Sequence, residues 1–120
     1  MRAYIDSDIL IWQLRGEKKA SKFLKKMRDS AEYELWTGAL QRAEIVFFMK
    51  SDEIESTELL LSLFHTAPVD HRIIDTAGMI FRKWYPTHGI DINDAILAAT
   101  SLETGGHIFT LNKKQYPITQ

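Results

Sequence analysis

Residues 92–110 read INDAILAATSLETGGHIFT, and this stretch decides the fold class. Small and apolar side chains follow a polar start, which predicts a buried helix over about 92–104. Gly105 and Gly106 come next, and glycine is the residue at which helices most often end. Residues 107–110 are mostly branched or aromatic and predict a strand. A helix that leads directly into a strand is the repeating unit of α/β proteins.

The same alternation runs through the rest of the chain. Short apolar runs predict strands at about 2–6, 34–37 and 66–69. Helical spacing of apolar residues predicts helices at about 9–14, 17–30, 38–50, 52–64 and 70–85, with a loop at 86–89. Because strands that alternate with helices pair in parallel, we expect an α/β fold with a mostly parallel central sheet. A chain of 120 residues predicts a single domain, 1–120.

Composition excludes several classes of protein. The net charge of −1 excludes a globally basic nucleic-acid binder, although it permits a local basic patch. The absence of cysteine excludes disulfides, thiolate catalysis and thiolate zinc sites. No apolar run approaches the roughly 20 residues of a membrane helix, and an acid at position 6 argues against a signal peptide. We therefore expect a cytoplasmic protein with no membrane association.

Three acidic residues interrupt apolar stretches. Asp6 ends the first predicted strand, and Asp94 begins the small-residue helix. Glu44 lies in a predicted helix with Phe47 and Phe48 one turn away. A carboxylate on an apolar face is costly unless a cation pairs with it, so three of them suggest a shared cation. Oxygen ligands suit Mg²⁺ or Mn²⁺, and one or two such ions can promote phosphodiester hydrolysis.

Each acid also has a structural explanation. Asp6 can cap a helix, and Asp94 can occupy the first turn beside a cap at Asp91. Glu44 can form a salt bridge with Arg42 or another arginine. A single metal site accounts for all three acids, whereas the structural alternative needs a separate explanation for each. The positions of the acids in the sequence therefore modestly favour a metal site.

Four short segments, in order along the chain, resemble the PIN-domain family, and in particular the VapC-type toxins of toxin–antitoxin pairs. Residues 4–11, YIDSDILI, are similar to the opening strand, acid and helix of that family. Residues 43–45, AEI, resemble its mid-chain acid, and residues 93–100, NDAILAAT, its most recognisable segment. Residues 109–116, FTLNKKQY, resemble its final strand and turn.

The resemblance implies a three-layer α/β/α PIN-like fold and a metal-dependent endoribonuclease. Asp6, Glu44 and Asp94 would be the catalytic residues and would bind Mg²⁺ or Mn²⁺. The substrate would be RNA, cut to leave a 5′-phosphate and a 3′-hydroxyl. The resemblance also implies a homodimer that a cognate antitoxin protein holds inactive.

Several further residues are expected to support the site. Asn112 stands where many relatives carry a fourth acid, which puts a second metal ion in doubt. Ser7 and Thr110 are candidates to orient the carboxylates. Asp8 can add a carboxylate or cap the following helix, and we favour the cap. For Asp91 we also favour the N-cap over direct support of the site.

Charged and aromatic residues offer further contacts. Lys113 and Lys114 lie beside the expected pocket and are candidates to contact RNA. The segment Phe47-Phe48-Met49 is expected in the core by default, with a partner surface as the alternative. One helix carries a basic face that can bind RNA phosphates or can simply be solvated, formed by Lys18, Lys19, Lys22, Lys25, Lys26 and Arg28.

Two other functions stay open at this stage. Asp6 and Asp8 form an Asp-x-Asp pair after a strand, as in haloacid-dehalogenase-like phosphatases, where Asp6 would be a nucleophile. That function leaves Glu44 without a role. Alternatively, the chain is a catalytically impaired PIN-like module that only binds RNA or protein, and Asn112 is the feature that favours this.

Overall fold

The computed structural model describes residues 1–111. Asn112, Lys113 and Lys114 therefore lie outside the described residues. The strands are β1 (Arg2–Ile5), β2 (Glu34–Gly38), β3 (His65–Ala67) and β4 (His107–Phe109). The helices are α1 (Ser7–Leu14), α2 (Lys18–Asp29), α3 (Ala39–Phe48), α4 (Ile54–Leu61), α5 (His71–His88) and α6 (Ile92–Thr104), with a 3₁₀ turn at Ser51–Glu53.

The four strands form one sheet in the order β3-β2-β1-β4, and every pair is parallel. β1 lies in the middle, with Ala3 opposite Leu35 of β2 on one side and opposite His107 of β4 on the other. All four carboxyl ends therefore meet at one edge. The predicted parallel sheet is confirmed.

Helices cover both faces of the sheet, because alternate apolar residues of β1 point to opposite faces and are buried on each. Tyr4 points into a core built with α5 and α6, whereas Ala3 and Ile5 point into a second core. The second core is built with the four other helices, whose contributions include Leu10, Leu24, Ile45 and Leu60. Because successive strand residues face opposite sides, the consecutive buried residues Ala3, Tyr4 and Ile5 of β1 specify two buried faces. The three-layer α/β/α arrangement is confirmed.

The end of α5 differs from the prediction. The loop expected at 86–89 is wrong, since the helix continues to His88 with Pro86 inside its last turn. Proline there removes a single helical hydrogen bond close to the end, which the short remainder of the helix tolerates. Gly89 then ends the helix with φ of 60°, and its N–H donates to the Tyr85 carbonyl.

The end of α3 also differs from expectation. Phe47 is 78% exposed and Phe48 is 82% exposed, so the expectation that they lie in the core is wrong. The helix stops at Phe48, and its buried side is formed by Gln41 and Ile45 instead. No helix among residues 1–111 is both long enough and apolar enough to cross a membrane.

Candidate active site

The candidate site lies where β1 and β4 end side by side. Asp6 directly follows β1, and its backbone N–H donates to the carbonyl of Phe109, the last residue of β4, at 3.0 Å. From β1 the chain proceeds to β2 on one side, whereas β4 flanks β1 on the other. Parallel sheets bind ligands in the crevice at such a point, because the following helices diverge there.

Ser7 connects the first two predicted acids. Asp6 is the N-cap of α1, and its Oδ1 accepts a 2.8 Å hydrogen bond from the Ser7 backbone N–H. The Ser7 hydroxyl lies 2.9 Å from Glu44 Oε2 and 3.5 Å from Asp6 Oδ1. A hydroxyl donates one proton, so the shorter contact is the bond to Glu44. Asp6 and Glu44, 38 positions apart, are thereby held around one side chain.

Asn93 connects Glu44 to the third acid. Its side-chain amide donates to Glu44 Oε1 at 3.1 Å, so both oxygens of Glu44 accept hydrogen bonds. The next residue, Asp94, is 7% exposed and opens α6. Gln41, one turn before Glu44, extends its amide toward the Asn93 carbonyl at 3.5 Å. Ser7 and Asn93 therefore join Asp6 and Glu44 in one hydrogen-bonded network, and Asp94 follows Asn93 directly in the chain.

The sequence predicts no role in the site for Asn93 or Gln41. Asn93 directly precedes Asp94 in the first turn of α6, a position from which a side chain can reach the same crevice. Gln41 is one helical turn from Glu44 and 1% exposed, and burial of a polar amide is the property that marks it. Sequence spacing placed both beside an acid but indicated no bond.

Asp8 departs from its favoured role as a helix cap. The cap of α1 is Asp6, and Asp8 lies inside the first turn. Asp8 Oδ2 accepts from the Leu111 backbone N–H at 3.0 Å and lies 3.0 Å from the Thr110 hydroxyl. The same hydroxyl is 2.9 Å from Asp6 Oδ2. Asp8 is therefore a carboxylate beside the site, and it tethers the end of β4 to α1.

Asp91 is the N-cap of α6, as expected. Its side chain accepts from the Asp94 backbone N–H at 2.7 Å, and Asp94 Oδ2 accepts from the Asp91 backbone N–H at 3.2 Å. This reciprocal capping box satisfies two backbone donors that a helix start leaves unpaired. Asp94 therefore has the structural role of a first-turn acid beside the Asp91 cap. One of its carboxylate oxygens, Oδ2, accepts a capping hydrogen bond.

Glu44 is only partly buried, and the aromatic neighbours expected to bury it, Phe47 and Phe48, are exposed. Its alternative salt bridge is also absent, since no ion pair joins Glu44 to an arginine within residues 1–111. Arg42 instead contacts the Thr66 hydroxyl at 3.3 Å. Hydrogen bonds from Ser7 and Asn93, and not an apolar face or an arginine, hold the Glu44 carboxylate in place.

Comparisons with known proteins identify the family. A model of the PIN domain matches residues 3–119. The chain belongs to the PIN domain family. Ribonuclease VapC19 of Mycobacterium tuberculosis is 28% identical over 115 residues, covering 95% of this chain and 91% of that relative. Ribonuclease VapC10 of the same organism is 29% identical, covering 95% of this chain and 85% of the relative.

Solved structures share the PIN fold of this chain. A toxin–antitoxin complex from Klebsiella pneumoniae matches with a TM-score of 0.79 at 21% identity, over 96% of this chain and 90% of that one. VapBC2 from Rickettsia felis, bound to a DNA fragment from its promoter, matches with a TM-score of 0.78 at 15% identity, over 99% and 93% of the two chains. Membership of the PIN family confirms the resemblance and excludes the haloacid-dehalogenase-like alternative.

The PIN site offers the donors that a hard divalent cation requires. Asp6, Asp8, Glu44 and Asp94 present carboxylate oxygens, and Asp8 Oδ1 is buried with no hydrogen-bond partner among the described residues. A buried carboxylate oxygen without a donor is costly unless a cation or water contacts it. Within residues 1–111, however, no three His, Asp or Glu side chains are gathered closely enough to form a complete metal site. The donor chemistry of these carboxylates fits a hard divalent cation such as Mg²⁺ or Mn²⁺.

Proposed function

We propose that this PIN domain is a Mg²⁺- or Mn²⁺-dependent endoribonuclease, the toxin component of a VapBC-type toxin–antitoxin pair. The observation that carries the proposal is the hydrogen-bonded network at the carboxyl edge of the sheet that joins Asp6 to Glu44 through Ser7 and joins Glu44 to Asn93, the residue before Asp94. The relatives named ribonucleases align over 95% of the chain, which supports RNA as the substrate.

The roles of the residues follow from their contacts. Asp6, Glu44 and Asp94 would hold the metal ion, which when bound supplies a more acidic water and offsets charge on the phosphate. Ser7 and Asn93 each direct one oxygen of Glu44, so the carboxylate stays oriented in a partly exposed pocket. A carboxylate that is not coordinated accepts the proton of the attacking water, and the products carry a 5′-phosphate and a 3′-hydroxyl.

The proposal extends to partners and location. A cognate antitoxin protein binds the chain and suppresses its activity, and the active form is a homodimer in the cytoplasm. The named structural neighbours include toxin–antitoxin complexes, which supports the antitoxin. The expectation that residues 1–120 form a single domain stays a prediction. Light scattering of the purified chain, alone and mixed with a candidate antitoxin protein, tests the assembly.

The test of the enzymatic proposal is cleavage of total cellular RNA by the antitoxin-free protein. Reactions contain Mg²⁺ or Mn²⁺, or a chelator, and Asp94→Asn is assayed in parallel. We expect discrete fragments with 5′-phosphate ends that require the metal. Loss of a ligand should reduce the rate by more than the 10- to 100-fold typical of residues that only support metal ligands.

A matched control removes the same charge elsewhere. Asp75 is exposed on α5, so Asp75→Asn changes the net charge equally without touching the site, and it should cleave like the unsubstituted chain. Fragments with 2′,3′-cyclic phosphate ends would contradict the proposed water attack. Absence of cleavage by a folded, metal-supplied protein would favour a PIN-like binding module.

A further inference from the structure

The basic face of α2 takes no part in the site described above. Six of the 15 lysines and arginines of the chain lie between Lys18 and Asp29, although the net charge of the whole chain is −1. All six are exposed. Arg28 pairs with Asp29 at 3.3 Å, whereas the five lysines form no ion pair with any of residues 1–111. Positive charge is therefore concentrated and uncompensated on this helix.

One side of α2 adjoins the active site. The Phe23 ring packs against Phe109 of β4, with 5.6 Å between ring centroids. The residue after Phe109 is Thr110, whose hydroxyl contacts the carboxylates of Asp6 and Asp8. The Phe23 side of the helix therefore packs on the end of β4, and the residue that follows β4 contacts the carboxylates.

The lysines divide between the two sides of α2. Lys19 is four residues before Phe23 and Lys26 is three residues after it, so helical periodicity puts both on the Phe23 side. We call these two the site-side lysines, and Lys22 lies between them and the other lysines at about 100° from Phe23. Lys18 and Lys25 lie roughly opposite Phe23 at 100° per residue. With a rise of about 1.5 Å per residue, the site-side lysines span about 10 Å along the helix.

An acidic pocket that cuts RNA faces an electrostatic problem. The carboxylates that bind a metal also repel the phosphates of the substrate, and one divalent ion offsets only part of the charge of several carboxylates, so cations outside the pocket add to the affinity for RNA. We propose that the site-side lysines bind the phosphate backbone of the RNA strand next to the scissile bond. This inference rests on the proposed ribonuclease function and names the surface that holds its substrate.

Other occupants fit the helix less well. A membrane surface requires a basic face beside a free apolar face, but the apolar residues of α2, among them Ala20, Leu24 and Met27, are buried in the core. An acidic polypeptide would be attracted to the charge, but nothing would favour the two site-side lysines over the two opposite them. An RNA substrate must reach the pocket, so its phosphates favour the lysines on the side of the pocket.

The test compares two variants that lose the same charge from the two sides of one helix. Lys19→Gln/Lys26→Gln removes the two site-side lysines, and Lys18→Gln/Lys25→Gln removes the two opposite. Glutamine has a helix propensity close to that of lysine, so both variants should fold, and thermal melting checks this. Asp94→Asn is present in both and in the reference protein to prevent cleavage. Fluorescence anisotropy with a labelled single-stranded RNA measures the dissociation constant across a series of salt concentrations.

The expected result is a change in salt dependence for one pair only. Each phosphate contact on a single strand contributes about 0.7 to the slope of log affinity against log salt, so Lys19→Gln/Lys26→Gln should lower the slope by about 1.4. If affinities converge near about 1 M salt, that slope predicts about 25-fold weaker binding at about 0.1 M. The opposite pair should change affinity by less than about twofold, because its lysines point away from the RNA.

Two results would overturn the inference. Equal weakening by both pairs would show a general charge effect, and no weakening by the site-side pair would show that RNA binds elsewhere. Competition by polyglutamate as strong as that by unlabelled RNA would assign the face to an acidic polypeptide. Cleavage by the unsubstituted chain, measured in parallel, separates these results from failure of the ribonuclease proposal itself.

Discussion

Substitution of Ser7 by alanine tests whether the network around Glu44 prepares the site for metal binding. The Ser7 hydroxyl lies 2.9 Å from Glu44 Oε2, within the range of a good O–H···O bond, and 3.5 Å from Asp6 Oδ1, at the limit of one. Its single proton therefore serves Glu44. Ser7→Ala removes that bond and leaves the Ser7 backbone N–H bond to Asp6 in place.

The magnitude follows from the charge of the acceptor. A hydrogen bond to a charged group contributes about 1.5–3 kcal/mol, which corresponds to about 10- to 150-fold in a rate or an affinity. We expect the cleavage rate at low Mg²⁺ to fall by about 10- to 100-fold, the range seen when supporting residues of metal sites are removed. Stability should fall by no more than about 1 kcal/mol, because Glu44 is partly exposed and water can replace the hydroxyl.

The assay is cleavage of a fluorogenic RNA as a function of Mg²⁺ concentration, with thermal melting in parallel. We expect a higher half-saturating Mg²⁺ concentration for Ser7→Ala, since a less oriented Glu44 is a poorer ligand. Ser62→Ala is the control, because its hydroxyl bonds the Leu59 carbonyl at 2.6 Å on an exposed helix end. A Ser7→Ala protein whose rate and Mg²⁺ dependence stay within twofold of the unsubstituted chain would refute the reasoning.

Three further predictions concern stability and metal binding. Gly106→Ala should destabilise the fold by about 1–3 kcal/mol in chemical denaturation, because the added Cβ would lie 2.5 Å from the buried Tyr4 ring; an unchanged midpoint would contradict this packing. Asp91→Ala should cost about 0.5–2 kcal/mol through loss of the α6 cap, and equal stability would argue against the capping box. Mg²⁺ at about ten times its dissociation constant should stabilise the protein by about 1.4 kcal/mol, measured as a rise in melting temperature. Chelator should reverse that rise, and Asp94→Asn should abolish it. A rise that persists in Asp94→Asn would show that the metal binds at another site.

Local features of the fold were predictable from the sequence. The buried strand at β1, the small-residue helix α6 and its glycine end depend on side chains within one or two helical turns of each other. The capping of α6 by Asp91 is equally local, since cap and backbone donor are three residues apart. Parallel pairing followed as well, because strands separated by helices have few other ways to meet.

Predictions failed where the outcome depended on packing between distant segments. Phe47 and Phe48 have the spacing of core residues, yet α3 docks through Gln41 and Ile45 and leaves both rings exposed. Pro86 marks a break in most sequences, yet its helix ends two residues later, where Gly89 adopts a positive φ. Neither result can be read from local spacing, because each depends on which face of a helix meets the rest of the protein.

The sequence by itself determined the order of the elements and the two buried faces of β1, and it supplied the three acids of the proposed site. The tertiary structure alone decided what those acids touch. Ser7 reaches Glu44 across 37 positions, Asn93 reaches it across 49, and Thr110 reaches Asp8 across 102. A hydrogen bond forms over a few tenths of an ångström, and only the docking of α1, α3, α6 and β4 on one sheet sets distances that finely.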